Sequence, residues 1–130
     1  ILRDIVFSDK EKLALLNSIT HKYILEHTMR LLDEYKAGNN EMAFIDAPVL
    51  FESGFDKLCS VIVCVVADKD IRINRIIERD RISRDAAIKR INSQIDDKKL
   101  IELSDFCIYN NGSIDELNKN VEEIINLINN

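Results

Sequence analysis

An α/β fold on a parallel sheet is the architecture this sequence predicts, and three observations predict it. Val61-Ile62-Val63-Cys64-Val65-Val66 is continuously apolar and rich in β-branched residues, as a strand covered on both faces must be. A second short apolar run, Phe106-Cys107-Ile108-Tyr109, follows some forty residues later. Amphipathic helical patterns fill the space between and around them, and strands alternating with helices give this class.

The elements follow in order. Ser8 or Asp9 caps a first helix with apolar positions Leu13, Leu15, Leu16 and Ile19. A second helical pattern runs from about His21 to Lys36, with Ile24, Leu31, Leu32 and Tyr35 on its apolar side. Gly38-Asn39-Asn40 stops it, because Gly and Asn accept the left-handed geometry of a helix end. Met42-Ala43-Phe44-Ile45 reads as a strand, and Val61–Val66 as the next. Asp68 is placed to cap a helix through Ile71, Ile73, Ile76 and Ile77, and Ser83 begins another that reaches about Gln94. The charged turn Asp96-Asp97-Lys98-Lys99 leads into a short helical piece before the Phe106–Tyr109 strand. Ser113-Ile114-Asp115-Glu116 is a capping box opening a last amphipathic helix through Leu117, Val121, Ile124, Ile125 and Ile128.

The totals fit one globular domain over residues 1–130, since the chain is 46% hydrophobic and 32% charged with a single Pro and three Gly. A net charge of −5 leaves no basic footprint for nucleic acid. It leaves room for a phosphate ligand, which a few placed arginines and a Mg²⁺ neutralise locally. Cys59, Cys64 and Cys107 have no CxxC spacing, and two sit in apolar runs; they read as buried thiols of a reducing cytosol. No apolar stretch approaches a membrane span and no signal peptide opens the sequence, so the expectation is a cytoplasmic protein. The start, Ile1-Leu2-Arg3, has no initiator Met and begins inside an apolar pattern, which reads as part of a longer chain.

Three constellations could carry chemistry. Asp46-Ala47-Pro48-Val49-Leu50-Phe51-Glu52 follows the expected strand, which puts Asp46 at its carboxyl end, where open α/β sheets bind ligands. Such a carboxylate serves a phosphate-borne Mg²⁺, and an ordinary Asp-x-Pro turn explains the same residues. Arg72, Arg75 and Arg79 share one helix face, and Arg81, Arg84 and Arg90 follow. Guanidinium groups are the usual partners of phosphoryl oxygens, and two helices joined by Arg79-Asp80-Arg81 suit a mobile lid. A solvated face with ion pairs such as Glu78 with Arg75 is the plainer account. Tyr109-Asn110-Asn111-Gly112-Ser113 is a strand-to-helix turn able to hold a base or an anion, or simply a left-handed turn before a capped helix. His21 stands alone at the expected helix junction and allows either a structural or a catalytic role.

Taken in order, these pieces resemble the dephospho-coenzyme A kinase family. That family carries V-F-x-D, a helix ending in His-Pro, D-x-P-L-L-F-E, R-x-x-x-R-D, R-I-x-x-Q and A-D-x-x-I-x-N-x-G. The matching residues here are Val6-Phe7-Ser8-Asp9, His21, Asp46 through Glu52, Arg75 through Asp80, Arg90-Ile91-Asn92-Ser93-Gln94, and Asp105 through Gly112. Lys22 replaces the family's Pro and Val49 its first Leu. The resemblance implies a P-loop nucleotide-kinase-like parallel sheet with a helical substrate region, over residues 1–40, and a lid, over 75–100. It implies transfer of the ATP γ-phosphoryl group to the ribose 3′-hydroxyl of dephospho-coenzyme A, with Mg²⁺ and only small-molecule partners. Arg79 and Arg90 would act at the phosphates with Asp46. Arg75, Asn110 and Gly112 would serve ATP, and His21, Pro48, Leu50 and Glu52 the acceptor. Another nucleoside-phosphate kinase, or a non-catalytic module binding coenzyme A or a nucleotide, is the competing reading.

The family's G-x-x-x-x-G-K-[ST] loop has no counterpart in these residues, for Gly38, Gly54 and Gly112 precede Asn, Phe and Ser. The expectation is a chain truncated at its N-terminus by about 60 residues, two βα units. With a family sheet order of 2-3-1-4-5, Met42–Ile45 and Val61–Val66 would lose their shared neighbour. Their open apolar edges would then pair directly, associate with another copy or await the missing segment.

Overall fold

The computed structural model describes residues 9–129, so Val6, Phe7 and Ser8 of the first motif lie outside the described residues. The chain divides into two compact units, Ile1–Leu58 and Cys59–Asn130, each with its own architecture.

The first unit is dominated by one helix, α1 (Lys10–Ala37), of 28 residues. Asp9 caps it, accepting the amides of Glu11 at 3.0 Å and Lys12 at 3.2 Å. The Lys12 amide and ammonium hold the Asp9 carboxyl below its ordinary range. Two helices meeting near His21 were the sequence expectation, and the structure corrects it. Ser18 and Thr20, which could have capped a second helix, instead return their hydroxyls to the carbonyls of Leu15 (2.8 Å) and Leu16 (2.9 Å). A hydroxyl bonded back into its own helix offers no new N-terminus. At the far end the left-handed residue is Asn39 (φ 56°), and Gly38 stays at φ −79°. Asn40 closes the end by donating its side-chain amide to the Tyr35 carbonyl at 2.9 Å.

After α1 the expected strand at Met42–Ile45 is absent; residues 42–47 have no regular structure. A strand is half of a ladder, and among the described residues of this unit no other strand exists to pair with it. Among the described residues the sheet has two strands, paired with each other, so Met42–Ile45 has no place in it. The chain then turns through Pro48 into a four-residue helix, α2 (Leu50–Ser53), closed by Gly54 at φ 77°, and a 3₁₀ turn, Phe55–Leu58, that buries Phe55.

The second unit is the α/β part, a small parallel sheet with helices; one face of the Val63–Val66 strand is open, which corrects the expectation of a strand covered on both faces. Strands β1 (Val63–Val66) and β2 (Phe106–Tyr109) pair in parallel, Val63 opposite Phe106 and Val66 opposite Tyr109. Between them run α3 (Lys69–Asp80), α4 (Arg84–Asn92) and α5 (Asp97–Glu102), and α6 (Ile114–Ile128) follows β2. The β1 strand is shorter than the apolar run predicted. Ile62 still joins the pairing, giving its amide to the Asp105 carboxylate (2.8 Å) while its carbonyl accepts from the Asp105 and Phe106 amides. Cys64, Val66 and Ile108 are buried, whereas Val63 and Val65 are exposed. Ile73, Ala87 and Ile91 form the centre of the core between α3 and α4, flanked by Ile76, Ile77, Ile82 and Ile88. Ser83 caps α4 through the Ala86 amide, as expected from its position. No helix among the described residues is long and apolar enough to cross a membrane.

Candidate functional site

The carboxyl ends of β1 and β2 are tied together by side chains. Asp68 stands at the N-cap position of α3 but does not cap it, contrary to the sequence expectation. Its amide donates to Asn111 Oδ1 at 2.8 Å, and Asn111 Nδ2 donates to Asp68 Oδ1 at 2.9 Å. The carboxylate is spent on the neighbouring loop rather than on the helix amides. Arg75, in the second turn of α3, donates from Nη1 to the Asn110 carbonyl at 2.8 Å. Arg75, Asn110 and Asn111 therefore meet at one place, the strand ends, where open α/β sheets hold ligands. Arg75 reaches the loop rather than Glu78, the ion pair that the plainer solvated-face account offered as an example.

Gly112 belongs to the same turn for a different reason than predicted. It is not left-handed; the positive-φ residues among those described are Asn39, Arg81 and Gly54. What it supplies is space, because a Cβ there would overlap the Glu116 carboxylate. Glu116 reaches back to the Ser113 amide at 2.9 Å and Ser113 Oγ accepts the Glu116 amide at 3.2 Å, completing the capping box of α6.

The second cluster lies at the turn joining α3 to α4. Arg79 donates to the adjacent Asp80 through Nε at 2.7 Å and Nη2 at 3.1 Å. Arg90, in the last turn of α4, donates from Nη1 to Oδ2, the oxygen that also accepts Arg79 Nη2. The structure thus brings Arg79 and Arg90 together on one anion. The Arg79 guanidinium, aided by Arg90, holds the Asp80 carboxyl below its ordinary range. Arg81 turns the corner in the left-handed region at φ 52°, uncommon for a residue with a Cβ. Arg75 and Arg79 also share the lining of an open concavity of about 530 Å³ with Ile76 and Glu78.

Arg72 goes elsewhere. Its Nη1 spans both Asp97 oxygens (2.5 and 2.8 Å) and its Nη2 reaches Gln94 Oε1 at 2.6 Å. The three arginines of one helix face therefore serve three purposes: the base of the α3–α4 hairpin, the β2 loop and the Asp80 pair. Sequence reasoning named the arginines and missed their anchors, Asp80 and Asp97. Asp80 stands next to Arg79, but its second partner lies ten residues on and is visible only in three dimensions.

The remaining predicted residues all belong to the first unit. His21 is half-buried in the middle of α1, not at a junction. Asp46 is exposed in the irregular segment, so its placement at the end of a strand is corrected. Pro48 opens the turn before α2, and Leu50 and Glu52 lie within α2, Leu50 half-buried and Glu52 exposed.

Comparison with known proteins gives these features a context. The sequence profile of the dephospho-CoA kinase family matches residues 1–116. A dephospho-CoA kinase of Fusobacterium nucleatum is 39% identical over 127 residues, which is 98% of this chain and 64% of the relative. One from Listeria monocytogenes is 35% identical, covering 95% of this chain and 62% of the relative. The chain thus spans somewhat under two thirds of the length of these relatives. Among solved structures, the dephospho-CoA kinase from Campylobacter jejuni superposes with a TM-score of 0.67 at 30% identity, over 98% of this chain and 63% of that one. A Thermus thermophilus protein at 24% identity shares the fold, with a TM-score of 0.79 over 95% of this chain and 63% of its own. The α/β architecture and the ordered motifs agree with this match, and the chain belongs to the dephospho-CoA kinase family.

Proposed function

We propose that these residues form the lid and acceptor side of a P-loop kinase that transfers the ATP γ-phosphoryl group to the 3′-hydroxyl of dephospho-CoA. The observation that carries this reading is the family match over residues 1–116, joined to the convergence of Arg79 and Arg90 on Asp80 at the turn between α3 and α4. Phosphoryl transfer depends on positioning and on neutralising charge over the transferred oxygens, and paired guanidinium forks suit both. In this reading Arg79 and Arg90 contact the phosphates, and Arg75, Asn110 and Gly112 line the nucleotide side. His21, Pro48, Leu50 and Glu52 face the acceptor.

Asp46 is a single exposed carboxylate, and among the described residues no three metal-ligating side chains gather. A Mg²⁺ carried on the phosphates of ATP takes one or two protein carboxylates, and Asp46 would offer one. Bound in that way, the ion would supply neutralising charge between phosphate oxygens. The residues themselves orient the phosphates and exclude misplaced acceptors.

The test is ATP-dependent formation of coenzyme A by a chain that carries these residues together with a Gly-rich Lys loop. Arg79→Ala or Arg90→Ala should lower kcat/KM by roughly 10²-fold, and Lys119→Ala, on an exposed face of α6, should leave it unchanged. Turnover of a different nucleoside phosphate but not of dephospho-CoA overturns the substrate. Arginine variants that behave like Lys119→Ala overturn the lid.

A further inference from the structure

We infer that Asp80 is a positioning residue that orders Arg79 and Arg90 as a ready-made phosphate fork, an inference that rests on the reading of those arginines as phosphate contacts. Among the described residues its carboxylate accepts hydrogen bonds from both. Arg79 binds it side-on through Nε and Nη2, and Arg90 binds Oδ2 from α4, so the single anion links the end of α3 to the end of α4. The Asp80 side chain is only 23% exposed, while those of Arg79 and Arg90 are 72% and 44% exposed. An arginine that open would sample many rotamers unless something held it, and binding energy would be spent on ordering it.

The stoichiometry favours a fork over a closed salt bridge. Two guanidiniums against one carboxylate leave a net positive charge. Three of their N–H groups are engaged, which leaves the rest of two five-donor forks for a ligand. A phosphoryl group can therefore join the cluster without expelling Asp80. The opposite arrangement, in which Asp80 competes with phosphate and must be displaced, predicts the reverse response to removing its charge.

Inorganic tripolyphosphate is the probe, titrated calorimetrically into the full chain at about 0.15 M salt, where long-range attraction is screened. Asp80→Asn adds net positive charge, yet should weaken binding about three- to tenfold, the factor for ordering one or two long side chains during binding. Asp80→Glu, which restores the charge, should recover most of the loss. The Nε–Hε resonance of Arg79 and the Nη1 resonances of Arg90 should lose their protection from exchange in Asp80→Asn, while the amide resonances of Ile73, Ala87 and Ile91 stay in place. Equal or tighter binding by Asp80→Asn overturns the inference and makes Asp80 a competitor. Core resonances that move together with the loss of binding overturn it in favour of a purely structural role. If Arg79→Ala and Arg90→Ala leave tripolyphosphate binding unchanged, or the unsubstituted chain binds none, the phosphate reading itself fails.

Discussion

Cys64 and Cys107 are partners in register across the parallel sheet, and both thiols are free. Burial, with Cys64 alongside, pushes the Cys107 thiol up to about 11 from an ordinary 9.0. The sign of the consequence follows from which form the fold prefers. A thiol raised in the folded state favours folding while it stays protonated, below its ordinary value. That contribution is lost as pH rises through the folded value, because the unfolded chain releases the proton more readily. Chemical denaturation midpoints should therefore fall between pH 9 and about 11, and Cys107→Ala should flatten this slope. An unchanged slope in that variant assigns the alkaline loss to other groups. The cytosolic reading of the three cysteines from sequence rested on the same fact, that two of them lie in apolar strands. What the sequence could not display is that the two are opposite one another, since strand register is a tertiary property.

Elements were legible where their signals were local. The Ser113–Glu116 box, the Ser83 cap and the Phe106–Tyr109 strand all stand where the sequence placed them. Failures came where a distant partner decides. Met42–Ile45 has the residues of a strand but no ladder, and Asp68 has the position of a cap but a better partner in Asn111. The join at His21 failed for a local reason, the back-bonded hydroxyls of Ser18 and Thr20. Gly112 gives the sharpest element-scale expectation. Its backbone is not in the region that demands glycine, so Gly112→Ala acts only by displacing the Glu116 carboxylate. Loss of a box of this kind costs about 1 kcal/mol. Thermal or denaturant unfolding should show that cost in the natural sequence and little of it when Glu116→Ala is already present, a coupling that a double-mutant cycle isolates. Additive effects would mean that Gly112 serves the turn between β2 and α6 in some other way.

At the scale of the whole molecule, the residues proposed to carry the function are distributed over both units. The unit Cys59–Asn130 carries Arg75, Arg79, Arg90, Asn110 and Gly112, and the unit Ile1–Leu58 carries His21, Asp46, Pro48, Leu50 and Glu52. Neither contains a Gly-Lys pair, so within these 130 residues no backbone cradle with a phosphate-binding lysine can form. Phosphoryl transfer draws most of its rate from such positioning, and an arginine fork without the cradle leaves the β- and γ-phosphates unfixed relative to the acceptor. The 130 residues by themselves should consequently convert no dephospho-CoA to coenzyme A with ATP, while tripolyphosphate still binds at the Arg79–Asp80–Arg90 cluster. Binding and turnover are separable in one preparation, by calorimetry and by chromatographic detection of coenzyme A. Turnover by the purified 130 residues, abolished by Arg79→Ala so that a contaminating kinase is excluded, would mean that these residues fix the phosphates by a means other than the Gly-Lys cradle.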